Sequence, residues 1–548
     1  MSRKLYIFVL LLAGIPHPAC MDVDIPLQCI DSLDCPAGYK CNQDTKLCEP
    51  FDKPRSVVDL ELAPPSGTSC SATQIADIDL ASSEIDSQQL DLELANAILL
   101  EGHVGSPVGV TGALVAKRDP AFDARHLTWN IAVDTAGYFE QALTAGDYEL
   151  LFRPSNREDF PQLRMTGLTL LESQEPDLVE LAYPSYPQPE SIQDQETILL
   201  VQLKILESEN APHPVAGIQV EGTTDKGLRS NLVSPDAQGV AYLRLPVEID
   251  ERRDKIIAPL TLALTIKPAN AGAPYPTIQT DAIELAGFDL GTFYVGEMPE
   301  SHAVSGVVTD AGGRTVAGCQ LRFEGPLGNG TFRQTIESQA SGFTTTLPAG
   351  TYSLTAVPPL EGEAGMLTTE QFEVYSDRSG VPVVLPDRPR LCGTALDSQG
   401  NTVADVIVQA ERLGSWTGVD DGIQRTHETS SGSNGHFEMA VDPGRYHFTM
   451  IPPATSGLPM RPAQALYVFE DDALGEDVTT LPEPAVVKGH VYSRNGTPQC
   501  GVSVDVYRSD EDSAYLIGQT FSEPGTDGCS GAYAAIIPAV VDEPVPLR

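Results

Sequence analysis

The feature that most limits what this chain can become is a glycine-punctuated strand signal that returns five times. Its clearest form is Gly342-Phe343-Thr344-Thr345-Thr346-Leu347-Pro348-Ala349-Gly350-Thr351-Tyr352-Ser353-Leu354. This reads as a glycine turn, a short strand, a second glycine turn and another strand. The first half recurs at Gly137-Tyr138-Phe139, Gly239-Val240-Ala241, Gly435-His436-Phe437 and Gly531-Ala532-Tyr533. Successive glycines (137, 239, 342, 435, 531) are 93 to 103 residues apart. A period of that size describes a series of similar domains, each with its own core.

Around the last three copies the agreement extends upstream. Val304-Ser305-Gly306-Val307-Val308, Leu391-Cys392-Gly393-Thr394-Ala395 and Val487-Lys488-Gly489-His490-Val491 open the repeats. From this opening glycine to the central one the distances are 36, 42 and 42 residues. Alternating apolar and polar residues give strands with one buried face, and two sheets must bury those faces against each other. Glycines supply the positive φ of the turns. The reading is all-β: tandem Greek-key, transthyretin-like β-sandwiches joined by short proline-rich linkers. Met298-Pro299, Pro386 to Pro389 and Pro482 to Pro484 mark junctions. Tyr148, Tyr352 and Tyr446, two residues past their glycines, are expected to pack inward or to bond a loop backbone.

The expected order along the chain is a signal peptide over 1–19, a lipid-anchor cysteine and disulfide-rich motif over 20–50, and a flexible acidic stalk over 51–88. Sandwiches follow over 89–185, 196–298 (divergent), 300–386, 387–482 and 483–548. The fifth stops 17 residues after Gly531, so its last strands are either missing or replaced by Val540–Val545. The stalk reading rests on the Pro, Ser, Asp and Glu content of that stretch.

At the N-terminus, Arg3-Lys4 precedes an apolar run from Leu5 to Ile15 and then Pro18-Ala19-Cys20. The run is an export signal too short to span a bilayer in the mature protein. A cysteine directly after it resembles a bacterial lipoprotein signal, which implies lipid on Cys20; ordinary cleavage near Ala19 would leave Cys20 to pair. Cys29, Cys35, Cys41 and Cys48 follow in the pattern C-x5-C-P-A-G-Y-K-C-x6-C. With few aliphatic residues to form a core, that segment reads as a disulfide-stapled knot. Zinc sites favour closer cysteine pairs. Cys500 and Cys529 fall within one repeat and are candidates to bridge, Cys319 and Cys392 are candidates to link consecutive repeats, and Cys70 is the odd one left over.

The repeats resemble the carboxypeptidase regulatory-like domain, a seven-stranded transthyretin-like sandwich. The resemblance rests on Val-x-Gly-x-Val, Gly-x-Phe and Leu-Pro-Ala-Gly-x-Tyr-x-Leu, and is best over 303–386 and 390–482. In that family the domain accompanies a zinc peptidase but carries no active site itself, and it occurs widely on bacterial surfaces. The resemblance implies a fold and brings no enzyme with it.

The rest of the chain offers no familiar chemistry. No H-E-x-x-H, nucleophile elbow or phosphate loop is present. His427, His436 and His447 stand near Asp420, Asp421 and Glu428, a weak metal grouping against the plainer reading of solvated strand histidines. No catalytic residue, metal site or cofactor is expected. A net charge of −42 excludes nucleic acid as a partner, because phosphate recognition needs Lys and Arg. Trp416, one of two tryptophans, lies in a long loop and is the one candidate aromatic platform for ligand. The expected function is therefore that of a non-enzymatic, exported lipoprotein of the bacterial envelope, at the outer membrane or cell surface. It would meet the membrane through its N-terminal lipid and act as a multi-domain spacer, adhesion or protein-interaction rod. The alternative is a carbohydrate- or polymer-binding surface protein using loops of the fourth sandwich. Surface proteins or polysaccharide are the corresponding partners.

Overall fold

The structure is a computed structural model that describes residues 39–42, 47–50 and 57–539, the last range without 66–67, 81–88, 106–108, 119–126, 172–177, 187–197, 254, 271–274, 415–421, 475–478, 510–513 and 526–527. The chain divides into two compact units, residues 1–51 with 544–548, and residues 52–543. In the first, the strands Tyr39–Asn42 and Leu47–Pro50 form an antiparallel hairpin whose register sets Cys41 directly opposite Cys48. Cys20, Cys29 and Cys35 lie outside the described residues.

The second unit is built of β-sandwiches, each with its own core. The third shows the plan. One sheet runs Phe343–Pro348, Ser301–Thr309, Arg378–Val384, and the other Gly330–Glu337, Gln320–Leu327, Gly350–Val357, Leu367–Val374. That is three strands against four, with the last strand of the smaller sheet parallel to the first. Along Ser301–Thr309 the alternation puts Val304, Gly306 and Val308 inside. They meet Leu321, Phe323, Tyr352 and Leu354 from the opposite sheet, all buried in one cluster. The fourth sandwich repeats the order with strands from 390–473, and the first repeats it with strands from 98–182. The sandwich predicted from the repeats is thus the fold observed.

The opening glycines of the third and first sandwiches have a steric cause. A Cβ on Gly306 would stand 2.1 Å from the carbonyl oxygen of Val381, on the incoming parallel strand. A real Cβ cannot approach an oxygen that closely. Gly102 meets the Val179 carbonyl in the same way, at 2.4 Å.

The second sandwich departs from the plan. Its strand Thr261–Pro268 takes the place of the strand that follows the second glycine turn elsewhere. Before it, Val247–Asp250 and Lys255–Ile257 leave the sandwich altogether. They extend the larger sheet of the first, with Val247–Asp250 parallel to Leu163–Thr166. The second glycine turn is missing from this repeat because the chain there crosses to the neighbouring sandwich.

The fifth sandwich differs most from expectation. The segment 51–88, read as a flexible acidic stalk, contains the strands Val57–Ala63 and Thr73–Asp79. Val57–Ala63 pairs antiparallel with Ser503–Ser509, and Thr73–Asp79 lies outside it. Leu92–Leu94, expected to open the first sandwich, runs parallel to Val491–Ser493. One sheet is then Ala514–Phe521, Ser503–Ser509, Val57–Ala63, Thr73–Asp79, and the other Ala532–Pro538, Pro484–Ser493, Leu92–Leu94. The order matches the third sandwich strand for strand. Residues 57–94 supply the three strands that complete this order. Val58, Leu60, Leu62, Leu92 and Leu94 join Val491, Val502, Val504, Val506 and Ile537 in one buried cluster. Val540–Val545 was an expected substitute for these strands; it lies outside the described residues, and their positions are already filled.

The cysteines sort by sandwich. Cys500 and Cys529 are disulfide-bonded within the fifth. Cys319 and Cys392, expected to link two repeats, are not joined to each other. Cys319 is wholly buried inside the third core. Cys70 is a buried free thiol in the fifth core. Burial raises its pKa, partly offset by a hydrogen bond with Ser69, which keeps it protonated and poorly reactive.

Candidate functional site

Binding and mechanical roles depend on how sandwiches meet, and two of the junctions bury charge. Between the third and fourth, Asp442 is fully buried. Its Oδ1 accepts hydrogen bonds from Arg388 Nε at 3.1 Å and from the Met366 amide at 3.1 Å. Its Oδ2 accepts from Arg425 Nη1 at 2.7 Å, and His427 Nε2 lies 3.5 Å away. Asp442 and Arg425 belong to the fourth sandwich, Met366 belongs to the third and Arg388 to the linker. The remaining guanidinium donors reach backbone carbonyls. Arg388 Nη2 donates to Pro359 at 2.8 Å, Arg388 Nη1 donates to Gly362 at 2.7 Å and also to Leu360, and Arg425 Nη2 donates to Pro358 at 2.5 Å. Prolines lack an amide proton, and the loop 358–362 turns its carbonyls toward the arginines. Burial alone would raise the Asp442 pKa. The adjacent His427 ring and the charges of Arg388 and Arg425 outweigh it and hold the carboxyl well below its ordinary value.

The first and second sandwiches share a sheet, and hydrogen bonds flank it. Leu232 donates its amide to the Arg157 carbonyl at 2.6 Å, Gln162 donates its amide to the Arg229 carbonyl at 3.0 Å, and Asn231 Nδ2 donates to the Glu158 carbonyl at 3.0 Å. Glu221, in the second sandwich and nearly buried, forms an ion pair with Arg157 of the first. Between the second and third, Thr277 and Thr331 exchange backbone hydrogen bonds at 2.7 and 2.9 Å, and Asn329 Nδ2 donates to the Tyr294 carbonyl at 3.0 Å. These joints are built from directional, partly buried bonds, which restrain domain motion more than a flexible linker does.

The fifth sandwich is a site of a different kind, a groove filled by a distant part of the same chain. Leu90 donates its amide to the Lys488 carbonyl at 2.7 Å, and Tyr533 Oη donates to the Leu90 carbonyl at 2.7 Å. His490 donates its amide to Asp91 Oδ1 at 3.0 Å. A Cβ on Gly489 would stand 1.9 Å from the Leu90 carbonyl oxygen. Gly489 thus does in the fifth sandwich what Gly306 does in the third, but the strand it admits comes from residues 89–94. On the donor side, buried Asp59 accepts the amide of Asp77 at 2.7 Å, and Asp77 adopts φ +58°. That contact fixes the irregularity between the two donor strands.

The residues singled out from sequence fall as follows. Tyr148, Tyr352 and Tyr446 are core residues, and each hydroxyl donates to the carbonyl four residues earlier, at 2.7, 2.5 and 2.5 Å. The three histidines do not converge. His427 faces into the fourth sandwich toward Asp442. His447 sits on the opposite face of the same sheet, since His427 pairs with Ala410 while His447 pairs with Glu411. His436 is exposed on the other sheet. Among the described residues no group of three or more His, Cys, Asp and Glu is placed to hold a metal ion. Trp416, Asp420 and Asp421 lie outside the described residues.

Sequence reasoning missed a recurring serine. Ser338 Oγ donates to the Val316 carbonyl at 2.8 Å and accepts the Cys319 amide at 3.1 Å. Ser431 does the same with Val403 and Val406, at 2.8 and 2.9 Å. Ser522 accepts the Val502 amide at 2.9 Å. Each serine is buried and closes the turn before its sandwich's central strand. The signal was available as a serine 19, 25 or 20 residues after that turn, spacings too uneven to stand out.

No family model and no curated protein sequence matches the chain. Among solved structures, a streptococcal ancillary pilin aligns with 50% of this chain and 98% of its own at 9% identity and a TM-score of 0.20. The Bacillus anthracis TIE protein aligns with 69% of this chain and 72% of its own, at 12% identity and 0.15. BcpA, the major pilin subunit of Bacillus cereus, aligns with 54% and 99%, at 11% identity and 0.15. Scores and identities this low carry no conclusion about what this chain does.

Proposed function

We propose that the chain is a non-enzymatic, exported scaffold of the bacterial surface, held to the membrane by lipid on Cys20 and acting through its sandwiches as a spacer and protein-interaction platform. The carboxypeptidase regulatory-like assignment of the repeats belongs to the same proposal, supported by the three-against-four strand order. The observation that carries the reading is the junction around Asp442. Burying an arginine and an aspartate between modules, with a second arginine partly covered, is costly unless geometry is maintained, and a protein whose modules need only be connected has no use for it. A scaffold that must hold its modules in fixed register does.

Two measurements test this. The exported protein should partition into detergent, and Cys20→Ala should release it to the aqueous phase. A wild-type protein that stays aqueous and carries no acyl mass removes the anchor. Limited proteolysis should spare the 358–366 loop in the wild type and cut it in Asp442→Ala. Equal cutting in both removes the rigid-junction argument.

A further inference from the structure

We propose that residues 57–94 are an exchangeable donor segment, and that the C-terminal sandwich accepts the same segment from a second copy of the chain. The fifth sandwich is incomplete without it. Residues 484–538 alone supply one strand pair in each sheet, Pro484–Ser493 with Ala532–Pro538 and Ser503–Ser509 with Ala514–Phe521. Without the donor, Val502, Val504 and Val506, all wholly buried here, lose the strand that lies beside theirs.

Three observations mark the C-terminal part as a receiver. Gly489 keeps the space for a parallel strand, and it is Leu92–Leu94 that fills it. Tyr533 and His490 place donors on Leu90 and Asp91, more than 390 residues earlier in the chain. The receiver also carries its own staple, Cys500–Cys529, which ties the turn before Ser503–Ser509 to the turn before Ala532–Pro538 whether or not the donor is seated. The donor in turn is joined to the first sandwich only through Ala95–Ala97, between Leu94 and Ile98.

Because donor and receiver are separate stretches, every hydrogen bond and apolar contact of the closed sandwich is the same when the donor comes from a neighbour. Nothing in the pairing distinguishes the two sources. The balance is set by the concentration of other copies against the effective local concentration of the chain's own donor. Exchange is head to tail, receiver of one copy to donor of the next, so it produces open chains of copies unless the series closes on itself. Crowding on a surface favours the exchanged form. The inference goes beyond the surface-scaffold reading and depends only on the strand pairing, so it stands or falls apart from the lipid anchor.

Glu61 and Asp505 are directly opposed across the donor–receiver pair and are only partly buried, which allows a covalent test. Two differently tagged full-length chains are co-expressed. The first carries Leu60→Asp, Leu62→Asp and Asp505→Cys, so its own donor is spoiled and its receiver is intact. The second carries Val504→Asp, Val506→Asp and Glu61→Cys, so its receiver is spoiled and its donor is free. The engineered disulfide can then form only between copies. The expected result is a disulfide-linked heterodimer, absent when either cysteine is omitted. In parallel, a single otherwise wild-type chain carrying both Glu61→Cys and Asp505→Cys is oxidised after refolding at rising concentration. It should shift from a linked monomer toward a ladder of linked oligomers. A linked monomer at every concentration, with no heterodimer from the co-expressed pair, overturns exchange. No linkage of either kind overturns the pairing on which it rests.

Discussion

The third and fifth sandwiches have the same strand order and solve the same packing problem from different pieces of chain. In the third, every strand lies between Ser301 and Val384, and the closing parallel strand follows the others in sequence. In the fifth, the corresponding strand lies about 400 residues upstream of its partner, as in the pairing of Leu92 with Val491. The cores are similar in kind, yet the third can close as soon as it is made and the fifth must wait for two distant segments to meet. Long loops raise the entropic cost of closure only slowly but slow the search. The difference shows that the fold is set by the strand set rather than by contiguity, and that the fifth is the module whose integrity depends on the rest of the chain.

The largest expected effect comes from the donor itself. Leu60→Asp places a charge in a wholly buried site, and Leu60→Ala alone should cost about 2–5 kcal/mol. Either change should open the fifth sandwich and leave the third intact. Cys70 provides the readout, because its buried thiol should alkylate slowly in the wild type and quickly in the variant. If Cys70 reactivity is unchanged, the donor does not seal that core.

Next is the junction between the third and fourth sandwiches. Asp442→Ala leaves two arginines unpaired in a buried setting, which should cost about 3–5 kcal/mol. The pH dependence follows from the depressed carboxyl. Its stabilisation is fully present above the unfolded carboxylate value near ~4 and is lost as pH falls through the lower folded value. Hydrogen exchange in the 358–366 loop should therefore rise on acidification in the wild type and be high already at neutral pH in Asp442→Ala.

A matched pair sharpens the comparison further. Gly306→Ala and Gly489→Ala each push a methyl group into the carbonyl of the incoming parallel strand, at a cost of about 1–3 kcal/mol or more. In the third sandwich that strand is held by a short connection, and the module should remain closed at a lower melting temperature. In the fifth the strand belongs to the donor, so the same substitution should release residues 89–94 to proteolysis. Identical behaviour of the two variants would mean that the connection makes no difference. The smallest effect is expected for Tyr352→Phe, which removes one hydroxyl hydrogen bond to Pro348 and should cost about 1 kcal/mol. The fifth sandwich has no counterpart to lose. Aligning Leu354 opposite Phe323 with Leu60 opposite Val506 puts Val58 where that tyrosine stands.

That replacement explains what could and could not be read from sequence. The repeats announced themselves wherever Gly-x-Phe and Gly-x-Tyr were present, and the sandwich class followed from alternation. The donor carries neither signature, because the chain enters Val57–Ala63 from outside the repeat rather than across a glycine turn. Its alternation was nevertheless visible. Val58-Asp59-Leu60-Glu61-Leu62 has the same alternating form as Leu90-Asp91-Leu92-Glu93-Leu94, but it is set among prolines and acids that read as a stalk. Gly489 was a second signal, a glycine reserved for a parallel strand at its side. The Asp442 cluster was less accessible, because Arg388, Arg425 and Asp442 are up to 54 residues apart and only the packing of two modules brings them together.

The central claim, that residues 57–94 complete the C-terminal sandwich, is tested most directly by amide hydrogen exchange over Val57–Ala63 in the full chain and in a chain ending at residue 483. The account predicts strong protection in the full chain and its loss on truncation, with protection of the third sandwich unchanged. Rapid exchange over Val57–Ala63 in the full chain, as expected of a solvated stalk, would contradict it.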